Sequence, residues 1–277
     1  MHNIRSIWWM TRTNISKWSR DLRIILIVIL LATLIHMHLS GLINFVHSEN
    51  EMINFALLPF LTESRYGKIL FILPIFILFA DAPFIDNNQI FLIMRSNRKN
   101  WILSQALYIF ITSLCYVLCL AVLSCIFFVP RLDFTNEWGS VLHTLAKTDI
   151  RFQLNVLVNF PRKIIDYFSP YQAMFFSLIL QTLVINLLGL IIMLINIWSS
   201  HRYLGMFFAA TLLMFDALIY SSGILTWVSP ITWMQLSSIN INEGLSQPNF
   251  YQILLILMLL FCGLLYLIIR RARWYEV

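Results

Sequence analysis

The sequence predicts an all-α integral membrane protein with six membrane-spanning helices. Three observations carry this: a composition that water cannot solvate, six apolar runs of spanning length, and an uneven distribution of Lys and Arg along the chain. The 277 residues are 60% hydrophobic and only 12% charged, whereas a soluble domain is about a quarter charged. With a mean hydropathy of +0.78, the polar residues are too few to cover a water-facing surface. A bilayer removes that difficulty.

A spanning helix needs about 20 mostly apolar residues to cross about 30 Å of hydrocarbon. Segments 22–46, 62–84, 101–129, 171–198, 203–227 and 250–269 meet this requirement within one transmembrane domain, 1–277. The second is the weakest, because Pro74 interrupts it; it reads as a kinked helix capped by Thr62. The run 52–61, broken by Pro59, reads as an interfacial or re-entrant piece. Five basic residues from Arg5 to Arg23 precede an apolar stretch with no small-residue cleavage site, so the first span is expected to stay in the mature protein.

Orientation follows from the basic residues, which cytoplasmic flanks retain. With the N-terminus inside, the inner side collects Arg5, Arg12, Lys17, Arg20, Arg23, Arg95, Arg98, Lys99, Arg202, Arg270, Arg271 and Arg273. That is 12 of the 19. The other seven fall outside, five of them in a long loop that the rule weighs little. Both termini are therefore expected in the cytoplasm of a cell-membrane protein. The formal charge of +6 is topological: it caps apolar runs and forms no basic face with interleaved aromatics, so no nucleic-acid partner is expected.

Between the spans the pattern is more varied. In segment 1–21, Ile4, Ile7, Trp8, Ile15 and Trp18 interleave with Arg5, Arg12 and Lys17, as in an interfacial amphipathic helix or an aromatic anchor beside a span. The outer loop 130–170 is long enough to form a small external subdomain. Thr135 or Asn136 is expected to cap a helix carrying Trp138, Val141, Leu142 and Leu145 on one face, and residues 150–158 alternate like a strand. Segment 228–249, opening with Ser229-Pro230 and lacking basic residues, is expected to dip into the outer leaflet as a short helical hairpin.

Motifs for enzyme chemistry are missing: there is no HExxH, no GxSxG and no glycine-rich loop ending in Lys-Ser or Lys-Thr. The chain is expected to have no catalytic residue, no metal site and no cofactor of its own. Cys115, Cys119, Cys125 and Cys262 lie in apolar runs and read as packing residues. His36 and His38 are two apart, so a helix points them to different faces and disfavours a shared ligand set. Asp216 is the carboxylate deep in a span. It is either a transport-path residue or a structural carboxyl held by Tyr220, or by Gln181 or Asn186 of the fourth span.

The stretch after the second span is the most informative. Asp81, Pro83 and Phe84 form a turn; Asp86 or Asn87 can cap a helix; Ile90, Ile93, Met94 and Trp101 supply an apolar face; and Arg95, Arg98 and Lys99 form a basic cluster just before the third span. On these residues the chain resembles the permease subunits of type-2 ABC exporters of Gram-positive bacteria. The six-span plan, the leading amphipathic helix and the stretch from Trp227 through Pro230 to Trp233 extend the resemblance; the outer loop after span three departs from it in being longer and more polar. It implies that 81–100 is a cytoplasmic coupling helix docked on a separate ATPase, with Asp81, Pro83, Phe84, Asp86, Ile90, Met94, Arg95, Arg98 and Lys99 as the coupling residues. It further implies two ATPase copies that bind ATP and Mg, a second permease chain, identical or different, and outward movement of a peptide, lipid or drug. A membrane-embedded immunity or assembly protein without transport, and a membrane enzyme with an unfamiliar site, are the alternatives the residues leave open.

Overall fold

Helix α1 (His2–Ile15) leads through a 3-10 turn at Trp18–Arg20 into α2 (Leu22–Ser48), whose first turn is capped by the Asp21 carboxylate accepting from Arg23 N at 3.0 Å. The computed structural model describes residues 2–85, 96–148, 156–199, 201, 203–218, 225–240 and 247–272. After α2 come strand β1 (Ile53–Asn54) and the short helices α3 (Leu58–Leu61) and α4 (Arg65–Phe79). Then follow α5 (Arg98–Ile126), strand β2 (Leu132–Asp133), α6 (Gly139–Lys147), α7 (Arg162–Tyr167), α8 (Pro170–Ser199), α9 (Leu204–Leu218), α10 (Leu225–Val228), 3-10 turns at Thr232–Met234 and Leu236–Ser238, and α11 (Phe250–Ala272).

Among the described residues four helices are long and apolar enough to cross a bilayer: α2, α5, α8 and α11, at 27, 29, 30 and 22 qualifying residues. Each exceeds about 30 Å at about 1.5 Å per residue. This mostly helical chain has the make-up of a membrane protein. The second and fifth expected spans correspond to α4 and α9, of which 15 residues each are described, α9 up to the last described residue before 219–224. That is about 22 Å of helix. Before the first turn of α4 the chain is buried loop, and loop 229–239, which follows α9 in sequence, packs buried at the same end.

Helix α8 is the central post. Of its apolar window 72% is buried, against 28% for α2 and 22% for α11, and it packs on α4, α5, α9 and α11. Helices α8 and α11 run in the same direction: Phe176 and Phe250 meet at 4.7 Å near their starts, and Trp198 shares a cleft with Arg270 and Arg271 near their ends. At that second end α1 lies along the start of α5, where Thr11 Oγ1 donates to Ser104 O at 3.1 Å and Trp18 Nε1 to Tyr108 Oη at 2.9 Å. Helix α1, the end of α11 and the basic residues 17–23, 98–99 and 270–271 therefore share one end of the bundle.

Asn196 pins that end. Its Nδ2 donates to Ala80 O at 3.0 Å and Ala82 O at 2.7 Å, while its Oδ1 accepts from Gly205 N at 2.8 Å. Only glycine fits at 205, because a Cβ there would sit 2.4 Å from Ile192 O. Asn196→Leu strands three buried backbone groups and is expected to cost about 2 kcal/mol. Thermal unfolding of the purified protein in detergent checks this; an unchanged midpoint would mean the three bonds contribute nothing.

The opposite end carries a small cap of loop structure. Strands β1 and β2 pair in parallel through Ile53 with Leu132 and Asn54 with Asp133. Asn54 holds the crossing in place, donating to Thr135 O at 2.8 Å and Glu137 O at 2.9 Å. Segment 56–61 is buried beneath this layer, and Phe60 packs on Trp138 at 5.4 Å and Phe160 at 4.9 Å. Helix α6 buries Val141, Leu142 and Leu145, but it starts at Gly139 after Trp138, not at a cap from Thr135 or Asn136. Thr135 is instead turned by the Asp133 carboxylate, which accepts from its N at 2.9 Å and Oγ1 at 2.7 Å. Those hydrogen bonds hold the Asp133 carboxyl below its usual pKa. Residues 149–155 of the expected strand lie outside the described residues, and Val156 and Val158 are buried without strand structure.

Candidate functional site: a buried ion pair beside loop 229–239

Helix α4 starts two residues later than a cap at Thr62 would place it. Thr62 does not cap it; Ser64 does, accepting from Gly67 N at 2.9 Å. This shift places Lys68 one turn inside the helix, facing α9. Lys68 Nζ donates to Asp216 Oδ2 at 2.7 Å, with side chains only 1% and 2% exposed. Two hydroxyls complete the carboxylate, Ser229 Oγ donating to Oδ1 at 2.5 Å and Thr232 Oγ1 at 2.7 Å.

A second buried carboxylate stands beside this pair. Glu63 is 1% exposed and accepts from Ser237 N at 3.3 Å and from Ser237 Oγ. Gln235 Nε2 donates to Thr62 O at 3.0 Å and Glu63 O at 2.9 Å, and Gln181 Nε2 donates to Thr62 Oγ1 at 3.2 Å. From the cap, Lys163 Nζ donates to Ser237 O at 2.8 Å, Ile239 O at 2.6 Å and Gln247 Oε1 at 2.9 Å. Burial pushes the Lys163 pKa below the usual lysine range, and Glu63 partly offsets this. Loop 229–239 is thus stitched by side chains to α7, to α9 and to the turn at 62–63 that precedes α4. Charge in the protein interior is tolerated only when it is matched in this way.

The expected partners of Asp216 are corrected here. Gln181 reaches Thr62, and Asn186 is buried on α8 without a bond to Asp216, while Tyr220 lies outside the described residues. Lys68, Ser229, Thr232 and Glu63 were not expected at this site. Their signal was present, because a lysine at the edge of one apolar run and an aspartate inside another are the two charges that hydrocarbon forces together.

At the other end the expected coupling residues divide. Asp81 pairs with Arg23, Pro83 is buried, and the Phe84 ring stands edge-on to Tyr108 at 4.9 Å. These three face inward against α2 and α5, whereas Arg98 and Lys99 are exposed on the first turn of α5. Asp86, Ile90, Met94 and Arg95 lie outside the described residues, as do Asn87 and Ile93. Trp101, expected on the apolar face of that helix, is a buried residue of α5.

No family model, curated protein or solved structure matches this chain. The histidines do not converge: His36 packs on Phe127 at 5.3 Å, and His38 packs on Phe71 at 5.5 Å with its Nδ1 against Leu34 O at 3.0 Å. Among the described residues no group of His, Cys, Asp or Glu is placed to hold a metal ion. The site ties α4, α9 and loop 229–239 together, and its chemistry is charge pairing.

Proposed function

We propose that this chain is the membrane permease subunit of a multi-subunit ABC exporter, crossing the cell membrane six times with both termini in the cytoplasm. A separate ATPase, in two copies, binds ATP and Mg and docks on segment 81–100, and a second permease chain, identical or different, completes the path. The observation that carries this reading is a mechanical one. Helix α4 joins the docking segment at one end, through Asp81 and its pair with Arg23, to the Lys68 lock at the other. Movement of the docked segment is transmitted along α4 to the outer loop, and the lock opens and closes as the path changes exposure. The cargo suited to helices with so few charges is amphipathic: a peptide, lipid or drug. Helices α2 and α11, with Leu26, Ile29, Leu255 and Met258 exposed, offer apolar faces to lipid or to the second permease chain.

Purification in mild detergent with identification of copurifying chains tests the reading. An ATPase should copurify and hydrolyse ATP. Ile90→Asp should reduce its retention by tenfold or more, since removing a buried interface anchor costs about 2 kcal/mol. Arg98→Ala should mainly change salt sensitivity. Copurification of no ATPase, or equal retention by Ile90→Asp, would leave 81–100 as an ordinary basic flank.

A further inference from the structure

We infer that the cytoplasmic end of the α2–α5 seam is a binding site for a single zwitterionic phospholipid with a primary ammonium headgroup. Two cavities make up this site, and they meet at Trp18. The first is a cleft of about 360 Å³ at the junction of α1, α2 and the chain following α4, lined by Lys17, Trp18, Asp21, Arg23, Asp81 and Tyr108 among others. Its size falls in the range of about 300–1,000 Å³ usual for small-molecule sites. The second is an apolar groove of about 170 Å³, lined by Ile27, Val28, Leu31, Leu78, Thr112 and Cys115 together with Trp18. From Ile24 to Leu31 it follows α2 inward for about 10 Å.

The chemistry of the two parts matches the two parts of a lipid. The cleft holds two cations, Lys17 and Arg23, and two carboxylates, Asp21 and Asp81, so its formal charge is balanced; Arg23 already pairs with Asp81, and Lys17 Nζ donates to Asn14 Oδ1 at 3.4 Å. A phosphate takes charge-assisted hydrogen bonds from the cations, and an ammonium donates to the carboxylates. A trimethylated headgroup has no N–H to give, and a purely anionic one leaves the carboxylates facing like charge. Trp18 divides head from tail: its Nε1 donates to Tyr108 Oη at 2.9 Å, and its ring forms part of the groove wall. An indole in that position, polar edge toward the headgroups and apolar body toward the chains, is the usual interfacial tryptophan arrangement. This assignment rests on α2 and α5 lying in the membrane, and it does not depend on which cargo is moved or whether an ATPase binds.

The seating has a consequence for the rest of the molecule. The cleft contains the Arg23–Asp81 pair that ties the chain after α4 to the start of α2. A bound headgroup therefore holds α1, α2 and the end of α4 together, at the point where segment 81–100 departs.

Native mass spectrometry of delipidated protein in detergent, titrated separately with phosphatidylethanolamine, phosphatidylcholine and phosphatidylglycerol, tests the site. The expected result is one saturable adduct with phosphatidylethanolamine, bound about fivefold more tightly than the other two, as paired charge-assisted bonds allow. Lys17→Glu should abolish that preference, and Val28→Trp, which fills the groove from a partly exposed position, should remove the saturable adduct. Circular dichroism and a single symmetric elution peak establish that both variants are folded. Three outcomes would overturn the assignment: equal or tighter binding of phosphatidylglycerol, a saturable adduct retained by Val28→Trp, or soluble phosphoethanolamine competing as well as the intact lipid, which would mean that the groove contributes nothing.

Discussion

Lys68→Met is expected to destabilise the protein by about 3–5 kcal/mol, because it leaves the Asp216 carboxylate buried beside two hydroxyls and no cation. Asp216→Asn should also be costly. Had Asp216 been a neutral carboxyl among polar neighbours, the amide would replace it at little expense; with the Lys68 ammonium 2.7 Å away, it removes a counterion. Lys68→Met combined with Asp216→Leu removes both charges, and replacing a buried pair by apolar residues of similar size is often nearly neutral. The double variant should therefore be more stable than Lys68→Met alone, giving a coupling energy of about 2 kcal/mol. Thermal unfolding in detergent supplies the stabilities. Wild-type behaviour of Lys68→Met would mean the pair is not formed in the membrane.

The parts of this structure legible in the sequence are those set by local periodicity. Runs such as 171–198 announce a helix because nearly every position is apolar, and the central placement of α8 fits a helix apolar on all sides. Asp216 was legible as an unusual residue for the same reason. Its partner was not, since Lys68 lies 148 positions away and reads locally as a basic flank. A shift of the α4 start from Thr62 to Ser64 decides whether Lys68 belongs to the flank or to the helix, and helix boundaries are where sequence patterns say least. The parallel pairing of Ile53 with Leu132 was hidden for a similar reason. Two strands of two residues each have no period to detect; they are joined by Ile53 N donating to Arg131 O and Phe55 N to Asp133 O, and the Asn54 side chain adds bonds to two carbonyls just beyond β2, more than 80 positions away. Segment 228–249 was expected to dip into the outer leaflet as a short helical hairpin; what its sequence did not disclose is that Ser229, Thr232 and Gln235 find buried partners in the protein, which hydrocarbon would not supply.

Trp101→Ala is expected to cost about 3–5 kcal/mol, the usual penalty for truncating a buried aromatic. By sequence Trp101 belongs with the apolar residues of the coupling segment, where its loss would weaken a partner and spare the fold. The structure places it in the first turn of α5, 2% exposed, on a face that continues through Ser104, Gln105 and Tyr108, all buried. That face lies under α1, which is fixed to it by Thr11 donating to Ser104 O and by Trp18 donating to Tyr108. Truncating the indole opens a void between an interfacial helix and a spanning one, and the spans have no slack to fill it. The comparison residue is Trp8, 54% exposed on α1. Trp8→Ala should leave the unfolding midpoint nearly unchanged, because its indole is exposed and not part of the core. Unfolding midpoints of the two variants, measured beside partner retention, decide between the placements: a stable Trp101→Ala that has lost its partner would move this tryptophan back to the docking surface, and a destabilised one keeps it in the seam between α1 and α5.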